Sequence, residues 1–231
     1  MTTPYDDVRG FVDIDGVSLH YDLSGEPDKP ALALVNMASH NLTCWELILD
    51  QLLTFAQVLR FDIRGTGRSG WGDKDSFTFT RYADDLVGIM DHCGLEDAVV
   101  VGVAYGARTA ARFADRHVDR LSMLGLFDVS LRPPVDQKDQ GRLGEEALDL
   151  LKAAGEPVVE RQKYWRFYEN RDAAALAHTA HQHEEDLSER MGHLKVPVLV
   201  ACGRQDMNLD EAERIAQHIP CLLYTSPSPR D

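Results

Sequence analysis

The segment VVVGVAYGARTA sets Gly102 and Gly106 on either side of Ala104. Two glycines four positions apart, after an apolar run and before an alanine-rich stretch, frame a sharp strand-to-helix turn. In turns of the form G-x-S-x-G the central residue is held in strained dihedrals, and flanking side chains would clash. The central serine is the nucleophile of acyl transfer, activated by a neighbouring base. Here the central residue is Ala104. A methyl group cannot attack a carbonyl, so no acyl-enzyme forms at this position. A glycine-rich turn of a nucleotide-binding fold is the competing reading. It lacks the G-x-G-x-x-G pattern and an acidic residue at the right distance.

The surrounding segments say how such a turn is held. Short alternating runs at 11–14 and 17–21 flank Asp15-Gly16, a hairpin signal. ALALV at 31–35 is continuously apolar, as a strand covered on both faces must be. Trp45, Ile48, Leu49 and Leu52 repeat at helical spacing, and so do Tyr82, Leu86, Ile89 and Cys93. Strands are expected at 58–61, 98–101, 121–127 and 196–201. Ala107, Ala110, Ala111 and Ala114 form a small-residue helix face suited to close packing on a sheet. Strand and helix alternate from 31 to 126, which predicts an α/β fold: a mostly parallel sheet with helices on both faces. The alternation stops between 130 and 195. That stretch, with QKYWRFYEN inside it, predicts an inserted helical cap. The expected organisation is a first core part at 1–130, a cap at 131–194, further core at 195–220, and a tail at 221–231.

Together these segments resemble the α/β-hydrolase family from Val8 to about Pro220. FDIRGTGRSG at 61–70 is similar to the family's Asp-x-Arg-Gly-x-Gly-x-Ser segment. The resemblance implies that Asp62 and Arg64 hold loops near the turn rather than react. ALALVNMASHNLTCW occupies the place of strand three, the His-Gly oxyanion loop and a tryptophan. Asn36 and Met37 replace His-Gly, a start that resembles the β-ketoadipate enol-lactone hydrolases. The resemblance then implies an oxyanion hole from the backbone amides of Ala38 and Tyr105. VPVLVACGRQD resembles the seventh strand and its acid, which makes Asp206 the triad acid. Asp128, after the sixth strand, is the alternative. The implied activity is hydrolysis of a small ester or lactone. A non-hydrolytic relative, binding a ligand or moving a proton, is the rival expectation.

A triad histidine is expected beyond one further strand, past Pro220, so the chain as it stands is expected to lack it and to be inactive. His218 reads as a surface residue and His40 as a solvated loop residue. His178, His181 and His183 lie near Glu184, Glu185 and Asp186, but without a fourth ligand of family-like spacing. They read as a solvated helix end, and no metal or cofactor is expected.

The last eleven residues, CLLYTSPSPRD, turn abruptly to serine and proline. They resemble the translation of a transposase-type sequencing adapter, codon for codon. On that reading residues 221–231 are an artefact, the chain is C-terminally truncated, and Val196, Val198, Leu199 and Val200 belong to an exposed edge strand that invites aggregation. The 231 residues carry a net charge of −14 with no basic cluster, which argues against nucleic acid and anionic membrane as partners. A small-molecule substrate is the expected partner. The polar opening MTTPYDDVRG and the lack of a long apolar run predict a cytoplasmic protein. Cys44, Cys93, Cys202 and Cys221 have neither metal-knuckle nor disulfide-framework spacing and are expected to be reduced.

Overall fold

Asp15 and Gly16 both take positive φ, 52° and 79°, and close the predicted hairpin between β1 (Val8–Ile14) and β2 (Val17–Ser24). The computed structural model describes residues 8–38, 40–132, 140–156, 158, 162–177, 179–180, 185–203, 206–220 and 222–225. The remaining strands are β3 (Ala31–Val35), β4 (Gln57–Phe61), β5 (Ala98–Val103), β6 (Leu121–Phe127), β7 (Val198–Ala201) and β8 (Leu222–Thr225). They form one sheet in the order β1-β2-β4-β3-β5-β6-β7-β8. The β1–β2 and β2–β4 pairs are antiparallel, and every other pair is parallel.

Alternation along the strands explains their apolar composition. On β3, Ala33 and Val35 face one hydrophobic cluster, while Leu32 and Leu34 face a second with Trp45, Leu53 and Val58. The first face is covered by α2 (Phe79–His92) and α3 (Tyr105–Arg116). Thr78 caps α2, its hydroxyl accepting from the Arg81 N–H at 3.1 Å, and Gly94 with φ 71° follows its end. Tyr82, Leu86 and Ile89 are fully buried, each worth about 1.5–3 kcal/mol of apolar transfer. The predicted alanine face of α3 is buried completely at Ala107, Ala110, Ala111 and Ala114. The opposite face carries α1 (Glu46–Leu52), where Ile48 is 40% exposed and so departs from the predicted stripe.

Between β6 and β7 the described residues are helical or irregular: α4 (Gln140–Ala153), α5 (Arg171–Ala177) and short 3-10 turns. α6 (Leu209–Ala216) packs on β7. Among the described residues no helix is long and apolar enough to cross a membrane.

One expectation is corrected. β7 is not the edge of the sheet, because Leu222–Thr225 pair with it in parallel, from Val198↔Leu222 to Ala201↔Thr225. The short apolar run Leu222-Leu223-Tyr224 meets the open ladder of β7 and supplies its hydrogen-bond partners. Leu223, 64% exposed, now lies on the edge strand.

Candidate functional site

The sheet register brings the chain-distant candidates to one level. Val35 pairs with Gly102, Val103 with Phe127, and Phe127 with Ala201. Each strand ends there, and the residues singled out in the sequence follow those ends: Ala38, Ala104 and Tyr105, Asp128, and Asp206. The strand order reverses between β3 and β5, and a crevice at the carboxyl ends of such strands is where open α/β sheets bind ligands.

The elbow is built as its glycines require. Ala104 sits at φ 51°, ψ −108°, capping α3 without a side-chain hydrogen bond. Its N–H donates to Phe127 O at 2.8 Å, and its carbonyl accepts from Ala107 N at 3.1 Å. A Cβ on Gly102 would strike Gly106 O and lie 2.6 Å from Ala107 N. A Cβ on Gly106 would strike Val35 O and lie 2.5 Å from Asn36 O. Both positions therefore exclude any side chain, and the second ties the elbow to the loop carrying Ala38.

That loop is fixed by Asn36, which is fully buried. Its Nδ2 donates to Phe61 O at 2.8 Å, and its Oδ1 accepts from Trp45 Nε1 at 2.7 Å. Asn36 thus joins β3, β4 and the tryptophan that marked the segment. Asp62 and Arg64 hold loops, as the motif implied. Asp62 accepts from the N–H groups of Leu42 at 2.7 Å and Arg68 at 2.9 Å, and pairs with His20 Nδ1 at 2.8 Å. Arg64 grips Asp85 of α2 with Nε at 2.7 Å and Nη2 at 2.6 Å.

His40 corrects its sequence reading. It is 4% exposed, its Nδ1 lies 2.7 Å from Ala38 O, and its ring lies 6.5 Å from that of Trp165. The segment between β6 and β7 covers it, which no local signal at residue 40 reports. The same segment reaches the elbow directly. Tyr105 and Tyr82 both donate their hydroxyls to Ala177 O at the end of α5, the latter at 3.0 Å. His218 is exposed, as expected. His178, His181, His183 and Glu184 lie outside the described residues.

The two acids offered as alternatives are neighbours. Oxygens of Asp128 and Asp206 and the sulfur of Cys202 all lie within 4.8 Å of one another. Asp128 has φ 51° and accepts weakly from Gly203 N at 3.4 Å. Asp206 accepts from Asn208 N at 2.7 Å, and Asn208 Nδ2 donates to Asp128 O at 3.0 Å. Burial, and secondarily the Asp206 charge, push the Asp128 carboxyl above its usual range. Burial and the two carboxylates push the Cys202 thiol up to about 12. Burial thus favours the protonated forms of Asp128 and Cys202 within this close cluster. Cys202 was read only as a reduced thiol. Its place between the acids follows from the β6–β7 register, not from spacing. Among the described residues no histidine hydrogen-bonds Asp206 or Asp128.

These features define an α/β-hydrolase architecture with an alanine-tipped elbow. The chain belongs to the alpha/beta hydrolase fold family, whose model matches residues 36–176. It is 29% identical over 235 residues to the "Putative carbamate hydrolase RutD" of Caulobacter sp. strain K31, covering 90% of this chain and 85% of that protein. It is 22% identical over 220 residues to 3-oxoadipate enol-lactonase 2 of Acinetobacter baylyi, covering 88% and 82%. The enol-lactonase structure from Burkholderia xenovorans LB400 superposes with TM-score 0.78 at 24% identity, covering 94% of this chain and 91% of that one.

Proposed function

We propose that this chain descends from hydrolases of small esters, lactones or related acyl compounds and keeps their ligand crevice without the acyl-transfer step. The observation that carries the reading is Ala104. It holds the strained elbow conformation, yet offers only a methyl group where attack would begin. The backbone amides of Ala38 and Tyr105 are the proposed oxyanion donors. Asp206 is the proposed acid, with Asp128 beside it as the alternative. Residues 131–194 act as the cap, a role supported by the contact of Tyr105 with Ala177. The names of the relatives, a carbamate hydrolase and an enol-lactonase, agree with a small acyl compound as the ligand class.

The rival reading is a natural non-hydrolytic member that moves a proton. The close cluster of Asp128, Cys202 and Asp206, with the Asp128 carboxyl pushed up by burial, favours it. Resequencing codon 104 tests the premise of both readings: each requires a confirmed alanine, and a serine codon would overturn both.

The activity test is rapid mixing with an activated acetate ester. Neither burst nor turnover above background is expected from the chain. The Ala104→Ser variant is expected to stay equally silent, because a serine hydroxyl needs a base within hydrogen-bond reach. An acylation burst from the unaltered chain that maps to this crevice would refute the proposal.

A further inference from the structure

His40 grips the turn that carries Ala38 at two points. Its backbone N–H donates to Met37 O at 3.2 Å, and its Nδ1 lies 2.7 Å from Ala38 O. A carbonyl oxygen only accepts, so Nδ1 carries a proton and donates, which fixes the tautomer of the neutral ring. The Met37 carbonyl and the Ala38 N–H belong to one peptide unit. That unit is planar and trans, so the two groups point in opposite directions. With the Met37 carbonyl turned toward His40 N, the Ala38 N–H is turned away from it. Among the described residues no acceptor takes the Ala38 N–H. One residue thus holds the peptide unit before Ala38 with its backbone and the unit after Ala38 with its side chain.

The grip is shielded from solvent. His40 is buried, with the ring of Trp165 beside its own. Trp165 is itself pinned, because its carbonyl accepts from Asn41 N at 2.7 Å and its Nε1 donates to Glu46 Oε1 at 2.9 Å. Asn36 anchors the same loop on the strand side of Ala38, through Phe61 O and Trp45 Nε1. Ala38 therefore lies between two anchored residues with its N–H unspent.

We propose that His40 is a positioning residue of the crevice. It orients both peptide units flanking Ala38 so that the Ala38 N–H stays available to a ligand carbonyl, and it touches no ligand atom itself. Donors fixed in advance cost no rearrangement when a ligand oxygen arrives. This role rests on the reading of Ala38 and Tyr105 as oxyanion donors.

Imidazole nitrogen resonances read the tautomer in the unaltered chain, and His40 Nδ1 is expected to be protonated. Titrating γ-butyrolactone into the isotope-labelled full chain reads the donors, with tetrahydrofuran as the ring that lacks the carbonyl. Saturable shifts of the Ala38 and Tyr105 amides are expected with the lactone and not with the ether. His40→Asn places an amide Nδ2 where the imidazole Nδ1 was, whereas His40→Leu keeps apolar bulk without a donor. Lactone binding is expected to stay within about twofold for His40→Asn and to weaken about fivefold for His40→Leu, the loss of one hydrogen bond. An unprotonated Nδ1, full binding by His40→Leu, or a His40→Asn variant as weak as His40→Leu would overturn the role of His40 alone. Amides of Ala38 and Tyr105 that respond equally to lactone and ether, or to neither, would refute the oxyanion reading and this role with it.

Discussion

Gly106 packs so closely on Val35 that the first turn of α3 rests on the last carbonyl of β3, with no room for a methyl group between them. This contact joins the elbow to the loop carrying Ala38, and it cannot relax cheaply because both partners are backbone. Gly106→Ala is therefore expected to lower unfolding stability by about 2–3 kcal/mol. Urea denaturation monitored by tryptophan fluorescence reads this as a lower midpoint. A loss below about 0.5 kcal/mol would mean that the elbow shifts freely.

Ala104 carries strain that glycine would not. Its φ of 51° with ψ −108° is a region L-residues avoid at a cost of about 1–3 kcal/mol. Against this, glycine raises the entropy of the unfolded chain by about 0.4–1 kcal/mol. Ala104→Gly is expected to raise stability by about 1 kcal/mol net, measured by the same denaturation. A destabilised variant would show that the elbow is unstrained.

Asp128 makes stability depend on pH in a defined direction. Burial and the Asp206 charge raise its carboxyl pKa in the folded state. Between the ordinary carboxylate range and that raised value the folded protein binds more protons than the unfolded chain. This group's contribution therefore falls as pH rises through the window and stays lost above it. Asp128→Asn removes the ionisation, keeps an oxygen for Gly203 N, and tolerates φ 51°. The variant is expected to gain stability at neutral pH and to show a flatter profile across the acid window. Denaturation midpoints over a pH series for both proteins supply the check, and parallel profiles would contradict the assignment.

The β7–β8 ladder makes Leu222–Thr225 part of the sheet. With Leu222–Thr225 in place, the amides of Val198–Ala201 are expected to exchange slowly. Deleting residues 221–231 should leave β7 as an apolar edge, speed exchange there, and increase aggregation seen by size exclusion. Unchanged exchange and a monomeric deletion variant would show that β8 contributes nothing to the sheet.

What could be read from the sequence was what contiguous residues dictate. The Asp15-Gly16 turn, the apolar run of β3, the stripe of α2, and the pair Gly102 and Gly106 around Ala104 are local demands of backbone geometry and burial. Each reports on itself within a dozen residues. The parallel sheet followed because alternating strands and helices have few ways to pack. The tertiary structure decided which distant residues became neighbours. Asp128 and Asp206, alternatives in the sequence, were made partners by the register of β6 with β7. His40, a polar residue in a loop, was buried by Trp165 from a segment more than a hundred positions away. Asn36 found Phe61 and Trp45, and Arg60 was left with one unmatched N–H, through contacts no spacing rule contains. Secondary structure is set by short-range periodicity, whereas burial and hydrogen-bond pairing depend on what the folded chain lays on top of each residue.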